Sequence, residues 1–398
     1  MATLKGHWLW NLIPRGWIRR FRKLICYDGV MNDVFPHANS NMAPDEQANQ
    51  GTFVREQWYY ALPSIALKPG VMLHRIILGE PVLIGRSENG KAFALSDTCP
   101  HRGTLLSRGK FDGHEVQCPY HGWRFSTDGQ CTIIPSQTSI QKPQAKDIRT
   151  KSYEVSERQG NIWVFIGKGT SNLNSEFPPV PEVPALGDHF QLHVSLRFAC
   201  NIDLAVIGLM DPAHGAFVHR SKIWRNEDSI HEKRKAFSPL TENEGIGWRM
   251  DRHKASSNSK AYKVFLGSAP ETEITYRMPS VRTEHAQTKK YEYCGLTACT
   301  PVSAYETDVH HVMYWNAPGG ILLRPIVRHI ARRFLDQDRR AVTAMNEGLS
   351  FNPPTMMVQD ADTQTRWYYQ LKREVLAAQA EKRTPRNTLK PVTLTWRS

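Results

Sequence analysis

The chain has 398 residues, 40% of them hydrophobic, which is enough for two globular domains with separate cores. Its 51 Lys and Arg residues exceed its 38 Asp and Glu residues, yet no recognised DNA- or RNA-binding motif accompanies this positive charge, so nucleic acid is not an expected partner. Seven cysteines is an odd number, and five of them are scattered without paired spacing, which fits reduced thiols rather than a disulfide framework. No apolar run is long enough to span a bilayer.

Residues 1–52 are predicted to be a basic amphipathic extension followed by a linker, which precede the folded domains. Within it, residues 8–25 interleave large apolar side chains with five cations, a pattern typical of a helix that lies in a membrane interface. The same pattern fits an amphipathic helix packed on a core or on another subunit. Residues 321–333 form a second basic amphipathic stretch with the same two interpretations. No signal peptide is recognisable, so we expect a cytoplasmic protein. If the basic segments bind lipid, the protein would contact the inner face of the membrane peripherally.

Residues 53–170 are predicted to form a small all-β domain. Short runs rich in β-branched and aromatic residues alternate with Gly, Pro and Asn-Gly turn signals. The runs begin at Trp58, Met72, Pro81, Ala92, Glu115, Thr132 and Asn161.

Two short segments of this domain carry a metal-ligand pattern. Cys-Pro-His begins at Cys99 and Cys-Pro-Tyr-His begins at Cys118, so each segment offers one thiolate and one imidazole, from His101 and His121. Two Cys and two His hold a Rieske [2Fe-2S] cluster, with the thiolates on one iron and the imidazoles on the other. A structural zinc site is the alternative, but zinc sites usually pair Cys with Cys and His with His at close spacing. The mixed pairs therefore favour the cluster, which transfers single electrons.

The two segments also match beyond their ligands. A proline follows each cysteine and stiffens the loop, and Gly103 and Gly122 allow backbone amides to approach the bridging sulfides. Together these residues closely resemble the Rieske domain shared by bacterial Rieske-type non-heme iron oxygenases.

A proline-dense segment, residues 177–184, marks the boundary to the rest of the chain. Residues 171–398 are predicted to form a second domain, in which strand-like runs and helical patterns occur in separate blocks. Separate blocks indicate an α+β domain. The resemblance implies, more specifically, a catalytic domain of helix-grip type with an antiparallel sheet. The strand-like runs include 273–277 and 310–315, and the helical patterns cover 202–224, 321–348 and 360–382.

The segment from Asp211 to His219 is the candidate second metal site. His214 and His219 are five residues apart, so they do not share a face of a regular α-helix and meet only at a helix end or bulge. Taken alone, two such histidines are more often core or helix-end residues. Downstream of the Cys/His segments, however, Asp-x-x-His-x4-His resembles the iron-binding motif of the Rieske oxygenases. The resemblance implies that both histidines bind a mononuclear Fe(II) together with a later carboxylate, leaving positions open for O2 and substrate.

The same resemblance places that carboxylate in a helical Phe-x-Glu-Asp-x-x-Val motif of the short branch of the family, typified by vanillate O-demethylase-like enzymes. Residues 334–342 are similar, with Gln337 where glutamate is usual. Asp338 is therefore the predicted third ligand, and the alternatives are Asp336, Asp360 and Asp362.

Asp211 is expected to connect two subunits. By the resemblance, it hydrogen-bonds His121 of one subunit and His214 of the next in a homotrimer, and so forms an intersubunit electron route. A helix N-cap is the alternative role for an aspartate before Pro212.

The residues just upstream depart from the family pattern. Ile207 and Gly208 replace a common Glu-Asn pair, and Asp203 stands where the family commonly has Arg or Lys. We interpret the loss of the polar pair as a more apolar pocket.

The resemblance covers roughly residues 53–375 and implies an oxygenase component. Its electrons come ultimately from NAD(P)H, but the chain has no Gly-x-Gly-x-x-Gly fingerprint and no plant-type ferredoxin cysteine spacing, so we expect a separate reductase, with or without a ferredoxin. Our leading hypothesis is a monooxygenase that uses O2 to hydroxylate or oxidatively demethylate a hydrophobic aromatic or polycyclic substrate, sterol-like lipids included. The alternatives are a cis-dihydroxylating dioxygenase and a Rieske electron carrier without a catalytic iron.

Overall fold

The computed structural model describes residues 52–141, 144–167, 177–184, 190–219, 230–255, 266–317 and 320–398. The predicted amphipathic segment 8–25 and the end of the predicted helical pattern at 202–224 lie outside these residues. Among the described helices, none is long and apolar enough to cross a membrane. The six described cysteines are all free and buried, in agreement with the expected reduced thiols.

The first domain is built from antiparallel strands joined by short turns, as predicted. Each of the seven predicted runs overlaps a strand. Two four-stranded sheets, β2-β3-β4-β9 and β5-β6-β7-β8, are accompanied by a three-stranded sheet, β1-β11-β10. The strands are β1 (Gln57–Pro63), β2 (Met72–Ile77), β3 (Glu80–Arg86), β4 (Ala92–Ser96), β5 (Lys110–Phe111), β6 (Glu115–Gln117), β7 (Arg124–Ser126), β8 (Cys131–Ile133), β9 (Ser152–Tyr153), β10 (Val155–Arg158) and β11 (Asn161–Ile166).

The second domain consists of one large antiparallel sheet and the helices packed on it, which confirms the α+β prediction. The sheet order is β12-β18-β17-β16-β15-β14-β13-β19. Its strands are β12 (Phe190–Phe198), β13 (Glu232–Pro239), β14 (Gly247–Lys254), β15 (Glu271–Arg277), β16 (Val281–Gln287), β17 (Glu292–Pro301), β18 (Thr307–Trp315) and β19 (Val392–Arg397). The helices are α1 (Ile202–Met210), α2 (Gly215–Val218), α3 (Gly320–Leu349) and α4 (Thr363–Glu381).

The first domain packs on the large sheet through two hydrophobic clusters, and residues such as Tyr59 and Leu62 belong to the larger of them. Trp58, Tyr60 and Trp163 of the first domain share a buried cluster with Leu296 and Val312, which are opposite each other on β17 and β18. Burying this much aromatic surface holds the domains together. A second, larger cluster contains residues of the sheet together with residues of α1, α3 and α4.

A buried ion pair fixes α1 against α4. The Lys372 Nζ donates to both carboxylate oxygens of Asp203, at 2.7 and 2.8 Å, and the Tyr368 hydroxyl donates to the same carboxylate at 2.5 Å. Neither charged side chain is exposed by more than 1%. Desolvation of two charges is costly, and several hydrogen bonds to one carboxylate offset that cost. Asp203, which departs from the family pattern, therefore has a cationic partner on another helix.

The contact between α1 and α3 corrects our interpretation of Ile207 and Gly208. A Cβ atom at Gly208 would lie 2.5 Å from Val342 Cγ2, so only glycine permits this helix crossing. Ile207 is partly buried against the hydrophobic core. Gly208 thus serves the packing of α1 on α3 rather than the polarity of a pocket.

Removal of the charge from the buried pair should destabilise the whole domain. We expect Asp203→Asn to lower the free energy of unfolding by about 3–5 kcal/mol, because Lys372 would remain buried without a counter-ion. Urea unfolding measures the change. The matched control is Asp336→Asn, which breaks a partly exposed pair with Arg339 and Arg340 and should cost at most about 1 kcal/mol. Equal effects of the two substitutions would contradict the assigned role of Asp203.

Candidate metal centres

The two predicted cluster loops share one backbone geometry. The carbonyl of Cys99 accepts the amide of Gly103 at 2.8 Å, and the carbonyl of Cys118 accepts that of Gly122 at 3.1 Å. Both glycines have left-handed φ values, 73° and 70°, which side chains with a Cβ rarely adopt. In both loops the cysteine amide donates to the carbonyl five residues later, at 2.8 Å. The loops therefore present their ligands in equivalent ways.

The four candidate ligands of the cluster differ in burial. Cys99 and Cys118 belong to the buried core of the first domain, whereas His101 and His121 are exposed, with ring centroids 4.6 Å apart. Burial, together with the neighbouring Cys118 thiol, raises the pKa of Cys99 to about 11. The thiolate form therefore needs a stabilising cation, which a bound iron would supply.

Two residues that the sequence did not single out support these loops. Asp97, fully buried, accepts hydrogen bonds from the Ser107 amide and hydroxyl, each at 2.6 Å, and its carboxylate lies 2.5 Å from His74 Nδ1. These bonds tie the chain before Cys99 to the turn at Leu106–Arg108. Trp123 stacks nearly parallel on the ring of His101, at 4.6 Å.

The second candidate centre brings together His214, His219 and Asp338. The two histidine Nε2 atoms are 3.2 Å apart, and Asp338 Oδ1 lies 3.5 Å from the first and 3.0 Å from the second. One potential ligand atom from each residue falls within 4.8 Å of the others. His214 is the N-cap of the short helix α2 and His219 is its C-cap. The two side chains thus meet at helix ends, as the spacing of five residues predicted.

Of the carboxylates considered as third ligand, Asp338 is the one placed at this centre. It is buried on α3, with an exposed fraction of 5%. Asp336 instead pairs with Arg339, while Asp360 and Asp362 accept backbone amides at 2.9 and 2.5 Å. Two imidazoles and one carboxylate are the donor set of the facial triad that binds non-heme Fe(II).

Hydrogen bonds orient both imidazoles with Nε2 toward this group. His214 Nδ1 lies 2.7 Å from the Asp211 carbonyl oxygen, and His219 Nδ1 lies 3.1 Å from Gln337 Oε1. Because these oxygens only accept, each Nδ1 carries the proton and each Nε2 keeps its lone pair for a metal. Burial lowers the pKa of His214, although Asp338 and Asp211 oppose this shift, and a neutral imidazole is the form that binds metal. The sequence marked Gln337 only as a departure from the family motif.

Asp211 lies at the turn between α1 and α2. Its Oδ1 accepts the Ala213 amide at 2.7 Å, and its Oδ2 is 3.9 Å from His214 Nδ1. The alternative role as an N-cap does not hold for α2, since His214 occupies that position. Asp211 instead closes a turn with its own side chain. The side chain is 37% exposed, which leaves part of the carboxylate accessible.

Two known families match this chain, one in each of its two structural domains. Residues 57–152 match the family described as Rieske [2Fe-2S] domain, and residues 198–380 match the vanillate O-demethylase oxygenase C-terminal domain. The two matches contain all of the candidate ligands, four in the first segment and three in the second.

Several curated relatives share parts of this sequence. The chain is 27% identical to chloroplastic chlorophyllide a oxygenase of Arabidopsis thaliana over 298 residues, 73% of this chain and 52% of that protein. It is 36% identical to the oxygenase component of dicamba O-demethylase from Stenotrophomonas maltophilia over 177 residues, 43% of this chain and 49% of that protein. The chain thus spans about half the length of these two relatives. Aminopyrrolnitrin oxygenase PrnD of Pseudomonas fluorescens is 26% identical over 74% of this chain and 84% of its own length.

Solved structures share the fold. Dicamba monooxygenase bound to dicamba aligns with a TM-score of 0.66 and 22% identity, over 83% of this chain and 99% of that chain. The Pseudomonas putida CBB5 NdmA QL mutant with theobromine aligns with a TM-score of 0.64 and 19% identity, over 85% and 94% of the two chains.

The hydrogen bond that His219 Nδ1 donates to Gln337 Oε1 should strengthen metal binding at the second centre. We expect Gln337→Met, which has a similar volume but no strong acceptor, to lower the affinity for Fe(II) by about 10–100-fold, because the His219 ring loses its orientation. Gln337→Glu keeps an acceptor and should retain most of the affinity. Fe(II) titration of the metal-depleted site measures both, with unchanged Rieske absorbance as the control. Equal affinities of wild type and Gln337→Met would refute the role.

Proposed function

Because this chain belongs to the family of Rieske-type non-heme iron oxygenases, we propose that it is the oxygenase component of a multicomponent monooxygenase. Its reaction is hydroxylation or oxidative demethylation of a hydrophobic ring compound with O2. The observation that carries this proposal is the presence, in one chain, of the paired Cys/His loops and of the group formed by half-buried His214 and buried His219 and Asp338.

Each donor set suits the group it would hold. When bound, the Rieske cluster supplies single electrons and the mononuclear iron supplies the site at which dioxygen is reduced. Cys99, Cys118, His101 and His121 would hold the cluster. At the second centre, His214, His219 and Asp338 would hold the iron, and a set of two imidazoles and one carboxylate would leave positions open for O2 and substrate.

The surroundings of the second centre support an apolar substrate. The ring of Phe334 stacks on His219 at 3.6 Å, so apolar surface adjoins a ligand imidazole and limits the approach of water from that side. Gly208 gives no such support, because it faces Val342.

The name of the second-domain family and the names of two relatives favour monooxygenation over cis-dihydroxylation, against one relative named as a dioxygenase, 3-chlorobenzoate-3,4-dioxygenase of Comamonas testosteroni. The second domain matches a family named for vanillate O-demethylase, and relatives include dicamba O-demethylase and chloroacetanilide N-alkylformylase, both named as oxygenase components. Those names also support a partner reductase, with or without a ferredoxin, that delivers electrons from NAD(P)H. A pure electron carrier is disfavoured, because it has no use for a buried two-histidine, one-carboxylate group.

We further propose a homotrimer in which Asp211 of one subunit contacts His121 of the next. Both ends of this contact are accessible: the imidazole of His121 is exposed, and so is part of the Asp211 carboxylate. Because the Ala213 amide occupies Oδ1, the second oxygen remains for a ring N–H of the neighbouring subunit. The same aspartate carbonyl orients His214, so one residue would connect the two centres.

The number of irons bound per chain distinguishes an oxygenase from an electron carrier. We expect about three irons per chain in the wild type, two in the cluster and one at the second centre, whereas a carrier would hold about two. His214→Ala should retain the Rieske absorbance, lose one iron and form no product. The matched control is His329→Ala, an exposed histidine on α3, which should keep all three irons. Product formation by His214→Ala would exclude the proposed function.

The charge of Asp211 should be needed for electron transfer between subunits and not for metal binding. We expect Asp211→Asn to keep three irons, because an amide oxygen still accepts the Ala213 amide, but to lower the single-turnover rate at least tenfold. Asp211→Ala also removes the turn and should be at least as slow. Single-turnover kinetics of the reduced protein measure the rates, and a wild-type rate in Asp211→Asn would rule out the intersubunit role.

A further inference from the structure

The N-terminal half of α3 exposes an apolar stripe. Leu322, Ile326 and Ile330 follow each other at intervals of four residues, which places them along one helix face. Their exposed fractions are 85%, 58% and 52%, and the neighbouring Leu323 is 43% exposed. Large aliphatic side chains this exposed in an ordered row are unusual on a soluble surface and mark an interaction site.

The stripe is separate from the face by which α3 packs on the protein. Val327 and Ala331 are partly buried, and Leu335 and Asp338 are buried, so this second row already supplies the helix with its core contacts. Of the interpretations predicted for residues 321–333, packing on a core therefore describes the row that begins at Val327 but not the stripe. A second apolar face remains for another partner.

The charges around the stripe are of one sign. Arg324, Arg328, Arg332 and Arg333 lie between and beside the apolar residues, and residues 320–335 contain no Asp or Glu. Arg328, Arg332 and Arg333 are exposed. Long cationic side chains beside aliphatic ones are the composition of a helix that lies in the interface of an anionic bilayer, with the guanidinium groups at the phosphates.

We propose that the N-terminal half of α3 docks on an anionic lipid surface. Charge complementarity favours this partner, because four arginines and no carboxylate accompany the stripe over residues 320–335. Size favours it too. Four apolar side chains in a row are far fewer than the 20–30 residues that a stable protein interface needs on each side.

This placement brings the membrane close to the second metal centre. Eight residues of helix, about 12 Å, separate Ile330 from Asp338, and Phe334, stacked on His219, lies between them. An apolar compound dissolved in the bilayer would thus be held near this centre. Docking itself does not depend on the proposed function, because it requires no turnover.

Vesicle binding tests the docking directly. The full-length, metal-loaded protein is sedimented with vesicles of phosphatidylcholine alone or mixed with phosphatidylglycerol. We expect binding to the mixed vesicles, weakened by added salt, and weaker binding to phosphatidylcholine alone. Ile326→Glu combined with Ile330→Glu should lower the affinity for mixed vesicles by about tenfold or more, since two apolar side chains leave the interface.

The matched control carries the same charge change elsewhere. Ile140→Glu combined with Met356→Glu alters two side chains that are more than 90% exposed and far from the stripe in the sequence, and it should bind within twofold of wild type. Both double variants should retain the Rieske absorbance and three irons per chain, which shows that they fold.

Three results would overturn the proposal. The first is wild-type vesicle binding by the Ile326→Glu/Ile330→Glu variant, or equal loss in the control. The second is a smaller mass of that variant by light scattering together with weakened vesicle binding, because the stripe would then be a subunit interface and the weaker binding a consequence of dissociation. The third result concerns a chain that lacks residues 1–27, compared with the same truncated chain carrying Ile326→Glu and Ile330→Glu. If the two truncated proteins bind the mixed vesicles equally, the N-terminal segment alone accounts for the binding.

Discussion

The position of the short helix α1 determines whether the second centre can form. At one end, the carboxylate of Asp203 is held by Lys372 and Tyr368 of α4, and near the other end Gly208 lies directly against Val342 of α3. The first contact balances the desolvation of two charges with hydrogen bonds, and the second requires that no Cβ be present. Since α1 leads straight to the turn that carries His214, and α3 carries Asp338, these contacts bring the ligands within reach of one ion.

In the first domain, the ligands of a charged cluster lie at the edge of a hydrophobic core. Its two loops repeat the same hydrogen bonds, so that the thiols point into the core and the imidazoles point outward. Replacing two thiolates by neutral imidazoles lowers the negative charge and raises the reduction potential. The exposed imidazole edge is then also the side from which another protein can approach most closely.

Local patterns predicted the parts of this protein that depend on local sequence. The short strands follow from alternating residues and turn signals, and the helix-end geometry of His214 and His219 follows from their spacing of five. The predicted helical pattern at 202–224 is interrupted, because Pro212 cannot continue α1. The ligand identities themselves came from resemblance to a family, since spacing alone leaves two histidines ambiguous.

What the sequence could not reveal depends on residues far away in the chain. Lys372 is 169 residues from Asp203, so no local pattern connects them. Gly208 was misinterpreted for the same reason, because its role is defined by Val342 on another helix. Gln337 attracted attention only as a substitution, and its hydrogen bond to His219 becomes visible once both helices are in place.

The second centre joins segments that are distant along the chain, as the 118 residues between His219 and Gln337 illustrate. An ion held at both segments acts as a removable cross-link, and closing a loop of this length lowers the entropy of the unfolded chain substantially, as a disulfide would. Iron that binds only the folded protein also shifts the folding equilibrium by mass action. Because cells degrade the unfolded fraction, the amount of this protein should follow the supply of iron, independently of the demand for its reaction.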